Sequence, residues 1–174
     1  AYISTYQAQV VYGLLQTEEY ARAVLATGMP DDLEGLLAAR MERQRILERD
    51  KPPLAWAILD EAVLYRPIGG HEVMRAQLQR LLDCAAHRWM RIQVLPFEAG
   101  EHASLAGSFN QLRFEDDPEI VYTEDVISGH MTANPETVRE ASLRYAHLQA
   151  TALSVEESVA RISRVMEERY GVRP

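Results

Sequence analysis

Asp60 and Glu61 stand side by side in the middle of the apolar run from Leu54 to Tyr65, where an ionised carboxylate is costly unless it is paired, hydrogen-bonded or set at a pocket mouth. Two roles would justify them. One is ligand binding or acid catalysis; the other is a structural ion pair, most simply to Arg66 or another arginine. In an unbroken strand neighbouring side chains point to opposite faces, so both carboxylates line one cavity only if the chain bends near Ala62. Glu124, with Tyr122 two residues earlier on the same strand face, supplies a third carboxylate. Paired with Asp60 or Glu61 it would suit glycosidase-like acid–base work, at a separation that sequence does not give. His102 follows Phe97-Glu98-Ala99-Gly100-Glu101 in a glycine-bearing loop, the kind of position that often recognises ligands. If the domain holds a pocket, its expected polar lining is Asp60, Glu61, Arg66, Gln93, His102, Tyr122 and Glu124.

Other chemistries have little to stand on. His71, His87, His102, His130 and His147 are scattered, with neither an HxxxH nor an HExxH spacing, so no metal site and no cofactor are expected. There is no G-x-S-x-G, Walker loop or G-x-G-x-x-G, and Gly69-Gly70 before a helix is too short to cradle a phosphate. These absences favour a non-catalytic domain over a small-molecule enzyme built on paired carboxylates.

The chain has 174 residues, 47% hydrophobic, 25% charged and 7% aromatic, which fits one folded domain able to bury roughly 70% of its unfolded surface. Its net charge is −8, so the surface as a whole repels phosphate backbones, and this chain alone is expected to bind DNA poorly. Cys84 is the single cysteine, which rules out an internal disulfide and fits a reduced, cytoplasmic setting. No apolar run approaches the length of a membrane span, and the first residues lack the pattern of a secretion signal. Lys51 is the only lysine beside seventeen arginines.

The elements that must position these residues are legible in part. Thr17 N-caps a short helix that Gly28-Met29-Pro30 stops. Asp31-Asp32 opens a second, striped by Leu33, Leu36, Leu37, Met41 and Leu47 and broken at Asp50-Lys51-Pro52-Pro53. Its other side carries Arg40, Arg43, Arg45 and Arg49, read as a solvated face because Glu42, Arg45 and Glu48 neighbour one another at three-residue spacing. Leu54 to Tyr65 reads as a strand, bent or in two pieces, and His71 begins a helix with Met74, Leu78, Leu81, Leu82 and Ala85 on one face. Strands follow at Ile92–Phe97, Phe109–Phe114 and Ile120–Glu124. Asn134-Pro135 starts a long amphipathic helix, and Ser154 to Glu157 forms a capping box for the last one. The expected fold is therefore α+β, a small mixed β-sheet with a β-α-β-β-β centre at 54–125, flanked by N-terminal helices at 14–50 and C-terminal helices at 134–171.

Three pieces, Gly13-Leu14-Leu15-Gln16-Thr17-Glu18-Glu19-Tyr20-Ala21-Arg22-Ala23, Leu59-Asp60-Glu61-Ala62-Val63-Leu64 and Gln93-Val94-Leu95-Pro96-Phe97, carry a family resemblance in this order and at about this spacing. Arg43-Gln44-Arg45-Ile46-Leu47, Arg66-Pro67-Ile68-Gly69-Gly70, Val73-Met74 with Gln77-Leu78, Gly100 with His102, and Val121-Tyr122 before Glu124 extend it over nearly the whole chain. Together they resemble the C-terminal domain of unknown function that follows an XRE-type (lambda-repressor-like) helix-turn-helix in many actinobacterial transcription regulators. Tyr12, where proline is commoner, and Met131-Thr132 depart from the usual wording. The resemblance implies one regulatory domain over 1–174, with the N-terminal helix-turn-helix absent from this chain. It implies a sensing or partner-binding module of a DNA-binding regulator, with three candidate partners: a second copy in a homodimer, a small-molecule effector, and a small protein encoded nearby. Contact with DNA would come only through the missing domain, and none with a membrane. Two further readings stand beside it, the small-molecule enzyme and a pure protein–protein interaction module whose C-terminal helices supply an apolar dimer seam.

Overall fold

A computed structural model describes residues 1–171 and shows six α-helices on a six-stranded mixed sheet, an α+β fold. The strands are β1 (Tyr2–Gln7), β2 (Leu54–Asp60), β3 (Met90–Leu95), β4 (Phe109–Arg113), β5 (Ile120–Glu124) and β6 (Gly129–Thr132). Their order is β3-β2-β1-β4-β5-β6, with β1, β2 and β3 parallel and the rest antiparallel. The helices are α1 (Glu18–Ala26), α2 (Leu33–Gln44), the four-residue α3 (Ala62–Tyr65), α4 (His71–Ala85), α5 (Pro135–Thr151) and α6 (Val155–Tyr170).

Two strands were not expected from the sequence, and one of them is central. β1 hides because Ser4, Thr5 and Gln7 are all buried, so apolar and polar residues do not alternate. Its polar groups are satisfied laterally: Thr5 Oγ1 donates to Asn110 Oδ1 (2.6 Å), and Gln7 Nε2 donates to Thr5 Oγ1 and to the same Asn110 oxygen (2.8 and 3.1 Å). β6 begins at a glycine and spans four residues, too short for a periodic signal. The expected strand over 54–65 ends at Asp60, and the chain turns at Glu61 into α3.

Helix ends follow local chemistry. Thr17, Asp32 and Asn134 cap α1, α2 and α5 by accepting from backbone N–H groups, and Ser154 with Glu157 forms a complete capping box on α6. Gly69 lies at φ +73°, and Gly70 at +92° leads directly into α4.

Both parallel crossovers pass over one face of the sheet. There Ile3, Ala57, Leu59, Ile92 and Val94 pack with Leu15, Tyr20, Met74, Leu78, Leu81, Ile162 and Val165 into the larger core. Buried glutamines tie the β1–α1 connection to it: Gln77 accepts from Thr17 N and donates to Leu15 O, and Gln16 donates to Val11 O. The opposite face is covered by α5, through Ala141, Tyr145 and Leu148 against Tyr6, Ile58, Leu95, Phe109 and Val121. Tyr145 Oη donates to Trp56 O across this layer (2.6 Å).

The two edges of the sheet differ. At β3, Val94 N donates to Ser158 Oγ (2.8 Å) and Val94 O accepts from Leu153 N (2.9 Å), so the α5–α6 junction closes that edge. β6 pairs only with β5, and beside it Val126, Ile127 and Met131 are exposed. The apolar stripes of α5 and α6 are spent on the core; among the described residues, Leu143 is the only large apolar side chain of those helices that stays exposed.

Candidate functional site

The C-terminal ends of β1 and β2 bring Tyr6 and Asp60 together, and the β3–β4 loop, residues 96–108, crosses above them. Tyr6 Oη donates to Asp60 Oδ2 (3.3 Å) and lies 3.3 Å from His102 Nε2. His102 Nδ1 accepts from Ser104 N (3.1 Å), which leaves Nε2 to carry the ring proton toward the Tyr6 oxygen. Asp60 Oδ1 in turn accepts from Ala62 N (2.9 Å), where the chain enters α3. The result is a directed chain of hydrogen bonds from loop to strand to helix. Burial, then the Asp60 charge, push the Tyr6 phenol well above its ordinary range, so it remains a donor.

Further ties hold the same loop. Phe97 N donates to Glu61 Oε2 (2.8 Å), Ala8 N donates to Ser108 Oγ (2.9 Å), and Arg144 Nη1 donates to Ala103 O (2.7 Å) while its other nitrogens hold Glu140. Glu61 is 3% exposed and pairs with Arg161 of α6 at 2.5 Å, which raises the pKa of the Arg161 guanidinium.

Beside this latch lies a cavity of about 440 Å³. The outer half of the sheet forms its floor through Phe109, Val121 and Thr123, α5 one wall through Thr137, Ala141 and Arg144, and the loop the other through Ser104 and Ser108. Its outer rim is the β5–β6 turn. There Asp125 accepts from Ile127 N, Ser128 N and His130 Nε2 (2.8, 2.7 and 3.2 Å), and these bonds hold its carboxyl far below the usual range. The volume is that of a small-molecule pocket, with an apolar floor and a polar rim.

The seven residues expected to line one pocket occupy several places. Asp60 and His102 meet through Tyr6. Glu61 sits in the ion pair, with Arg161 rather than Arg66 as partner, and Arg66 is exposed where α3 ends. Gln93 accepts from Trp56 Nε1 and donates to Leu153 O (both 2.8 Å), stitching β2, β3 and the α5–α6 junction. Tyr122 and Glu124 share one strand parity, opposite to that of Tyr6, Asp60 and Thr123. Glu124 reaches the cavity rim and lies close enough to Arg40 to oppose the lowering of its pKa by burial and by Arg43. Asp60 and Glu124 therefore sit on opposite faces of the sheet, and the carboxylate pair that acid–base catalysis would need does not converge. Among the described residues no three His, Cys, Asp or Glu side chains gather as metal ligands, and no helix is long and apolar enough to cross a membrane.

Sequence reasoning missed Tyr6, Arg144, Arg161, Asp125 and His130. Tyr6 lies in the unexpected strand. Arg161 is adjacent to the buried Ile162 on α6, and helical periodicity alone does not separate a buried cation there from a solvated one.

A sheet whose two parallel crossovers share one face, with a cavity beside the helix on its other face, defines an α+β domain. The chain belongs to the family described as Domain of unknown function (DUF5753), whose model matches residues 1–164. No curated protein and no solved structure matches it.

Proposed function

We propose that this domain is the non-catalytic regulatory module of a helix-turn-helix DNA-binding transcription regulator, and that the cavity beside α5 receives its effector. The observation that carries the reading is the cavity itself, because one of its walls is a loop latched to three separate elements by Tyr6, Glu61 and Arg144. A ligand that displaces or tightens that loop has differential contacts with two states, which is what a sensing domain requires. The resemblance in sequence supplies the DNA-reading partner of the reading. Net charge supports it too, since a chain at −8 needs another domain to hold a duplex.

The same reading includes a homodimer. With the apolar stripes of α5 and α6 spent internally, the second copy is assigned to the open β6 edge, strand against strand about a two-fold axis, with Val126, Ile127 and Met131 at the seam. Met131→Glu then yields a monomer by light scattering, and an unchanged mass removes this seam.

Thr137→Trp tests the cavity. Thr137 is an exposed residue of α5 on the cavity wall, so an indole there fills the space without disturbing the core. The intact regulator carrying it should fold and lose its effector response, and any adduct seen by native mass spectrometry of the wild type should disappear. A variant that responds like the wild type would overturn the assignment.

A further inference from the structure

A second cavity, of about 480 Å³, lies at the opposite end of the parallel strands, between the segment that leads into β2 and the turn that leads into β3. Arg49, Lys51 and Arg88 line it against a single carboxylate, Asp50. Its apolar wall is Leu47, Pro52, Leu54 and the half-buried Trp89, and Leu54 keeps 53% of its surface exposed.

The charge here runs against the rest of the chain. Asp and Glu outnumber Lys and Arg by 26 to 18, and Arg22, Arg45, Arg113, Arg144 and Arg161 each pair with a carboxylate. Among the described residues, Arg49, Lys51 and Arg88 have no carboxylate within ion-pair distance, not even the neighbouring Asp50. Arg91, whose guanidinium donates to Arg88 O and Met90 O, adds a fourth cation at the same corner. Unpaired like charges repel one another, and a dianion placed among them removes that cost. Among common biological anions, a phosphate monoester carries about −1.5 to −2 charges on three strong acceptor oxygens. Arg and Lys are the side chains that recognise it.

We infer that this basic cavity binds a phosphorylated small molecule, its phosphoryl group held by Arg49, Lys51 and Arg88 and its body resting on Leu54 and Trp89. The site is separate from the cavity beside α5 and does not depend on the regulatory reading of that cavity. Trp89 stacks on His87 at 5.0 Å and lines the cavity, so its fluorescence reports occupancy.

Calorimetric titration of the whole chain with pyrophosphate, ADP and adenosine tests the inference. Pyrophosphate and ADP should bind saturably at one site, quench Trp89 and weaken between roughly 50 and 200 mM salt, whereas adenosine should not bind. Lys51→Ala/Arg88→Ala removes two exposed cations outside the core and should raise the dissociation constants at least about tenfold without changing the melting temperature. Absence of saturable binding by both anions, or equal affinity in the double variant, overturns the inference. So does a short DNA duplex that binds more tightly than ADP and is lost in the double variant, because the corner would then serve a nucleic acid.

Discussion

Removing Arg161 measures how much of the fold depends on the pair that ties α6 to the start of the loop. Arg161→Ala leaves the Glu61 carboxylate, 3% exposed, with Phe97 N as its one remaining partner among the described residues. Breaking a buried pair from one side costs about 3–5 kcal/mol, and the 17% exposure of the Arg161 side chain places this case near the lower end, about 3 kcal/mol. For a domain of this length that is a fall in melting temperature of roughly 6–12 °C. Glu61→Gln keeps the shape and a carbonyl oxygen for Phe97 N, and should cost only about 1–2 kcal/mol. The double variant Glu61→Gln/Arg161→Ala should then be more stable than the sum of the single losses implies, by about 1.5 kcal/mol or more, because no charge is left stranded. Urea unfolding of the four proteins closes this cycle. Additive single effects, with Arg161→Ala below about 1 kcal/mol, would mean that solvent already screens the pair, and the argument for a buried tie would fail.

Three further outcomes follow from other parts of the molecule. Tyr6→Phe removes the oxygen between Asp60 Oδ2 and His102 Nε2, which lie 4.0 Å apart, and should cost about 1 kcal/mol in urea unfolding, with raised hydrogen exchange confined to residues 96–108; uniform exchange would show that Tyr6 does not latch the loop. Gly69→Ala combines φ +73° with a methyl placed 2.8 Å from Val73 Cγ1 and should destabilise by more than about 1 kcal/mol. Gly70→Ala meets open space, but φ +92° with ψ 179° is backbone that only glycine adopts freely, so it too should destabilise by more than about 1 kcal/mol by differential scanning calorimetry; a negligible loss at either position would refute the strained turn. Asp125, whose carboxyl is depressed by the Ile127 and Ser128 N–H groups, contributes stability that is present above the ordinary carboxylate range near ~3.9 and is lost only as pH falls through its lower folded value. A carbon-detected NMR titration in which Asp125 protonates at the ordinary pH would refute the turn geometry.

Helices were more legible in the sequence than strands, for a physical reason. Caps at Thr17, Asn134 and Ser154 are local hydrogen bonds, so the residues that make them are contiguous and the helix ends fall where the spacing predicts. β1 is stabilised by partners more than a hundred residues away, and its buried Ser4, Thr5 and Gln7 look like loop residues until Asn110 is placed beside them. Losing β1 from the reading also lost Tyr6, and with it the link between Asp60 and His102. The carboxylates at 60 and 61 each find partners in the fold, Asp60 in Tyr6 and Ala62 N, Glu61 in Arg161 and Phe97 N. Which arginine compensates depends on how α6 lies, and sequence neighbours such as Arg66 are poor guides to a contact a hundred residues long.

The two faces of the sheet are guarded unequally. Three long helices, α1, α4 and α6, and the short α3 pack on the crossover side, while α5 is the one helix packed on the other, through three buried residues, the last of which is Leu148. Local opening should therefore begin at α5, at a free-energy cost well below that of global unfolding. The two ends of α5 are anchored differently: its first turn follows β6, which pairs only with β5, whereas its last turn leads into the junction whose Leu153 and Ser158 bond to Val94.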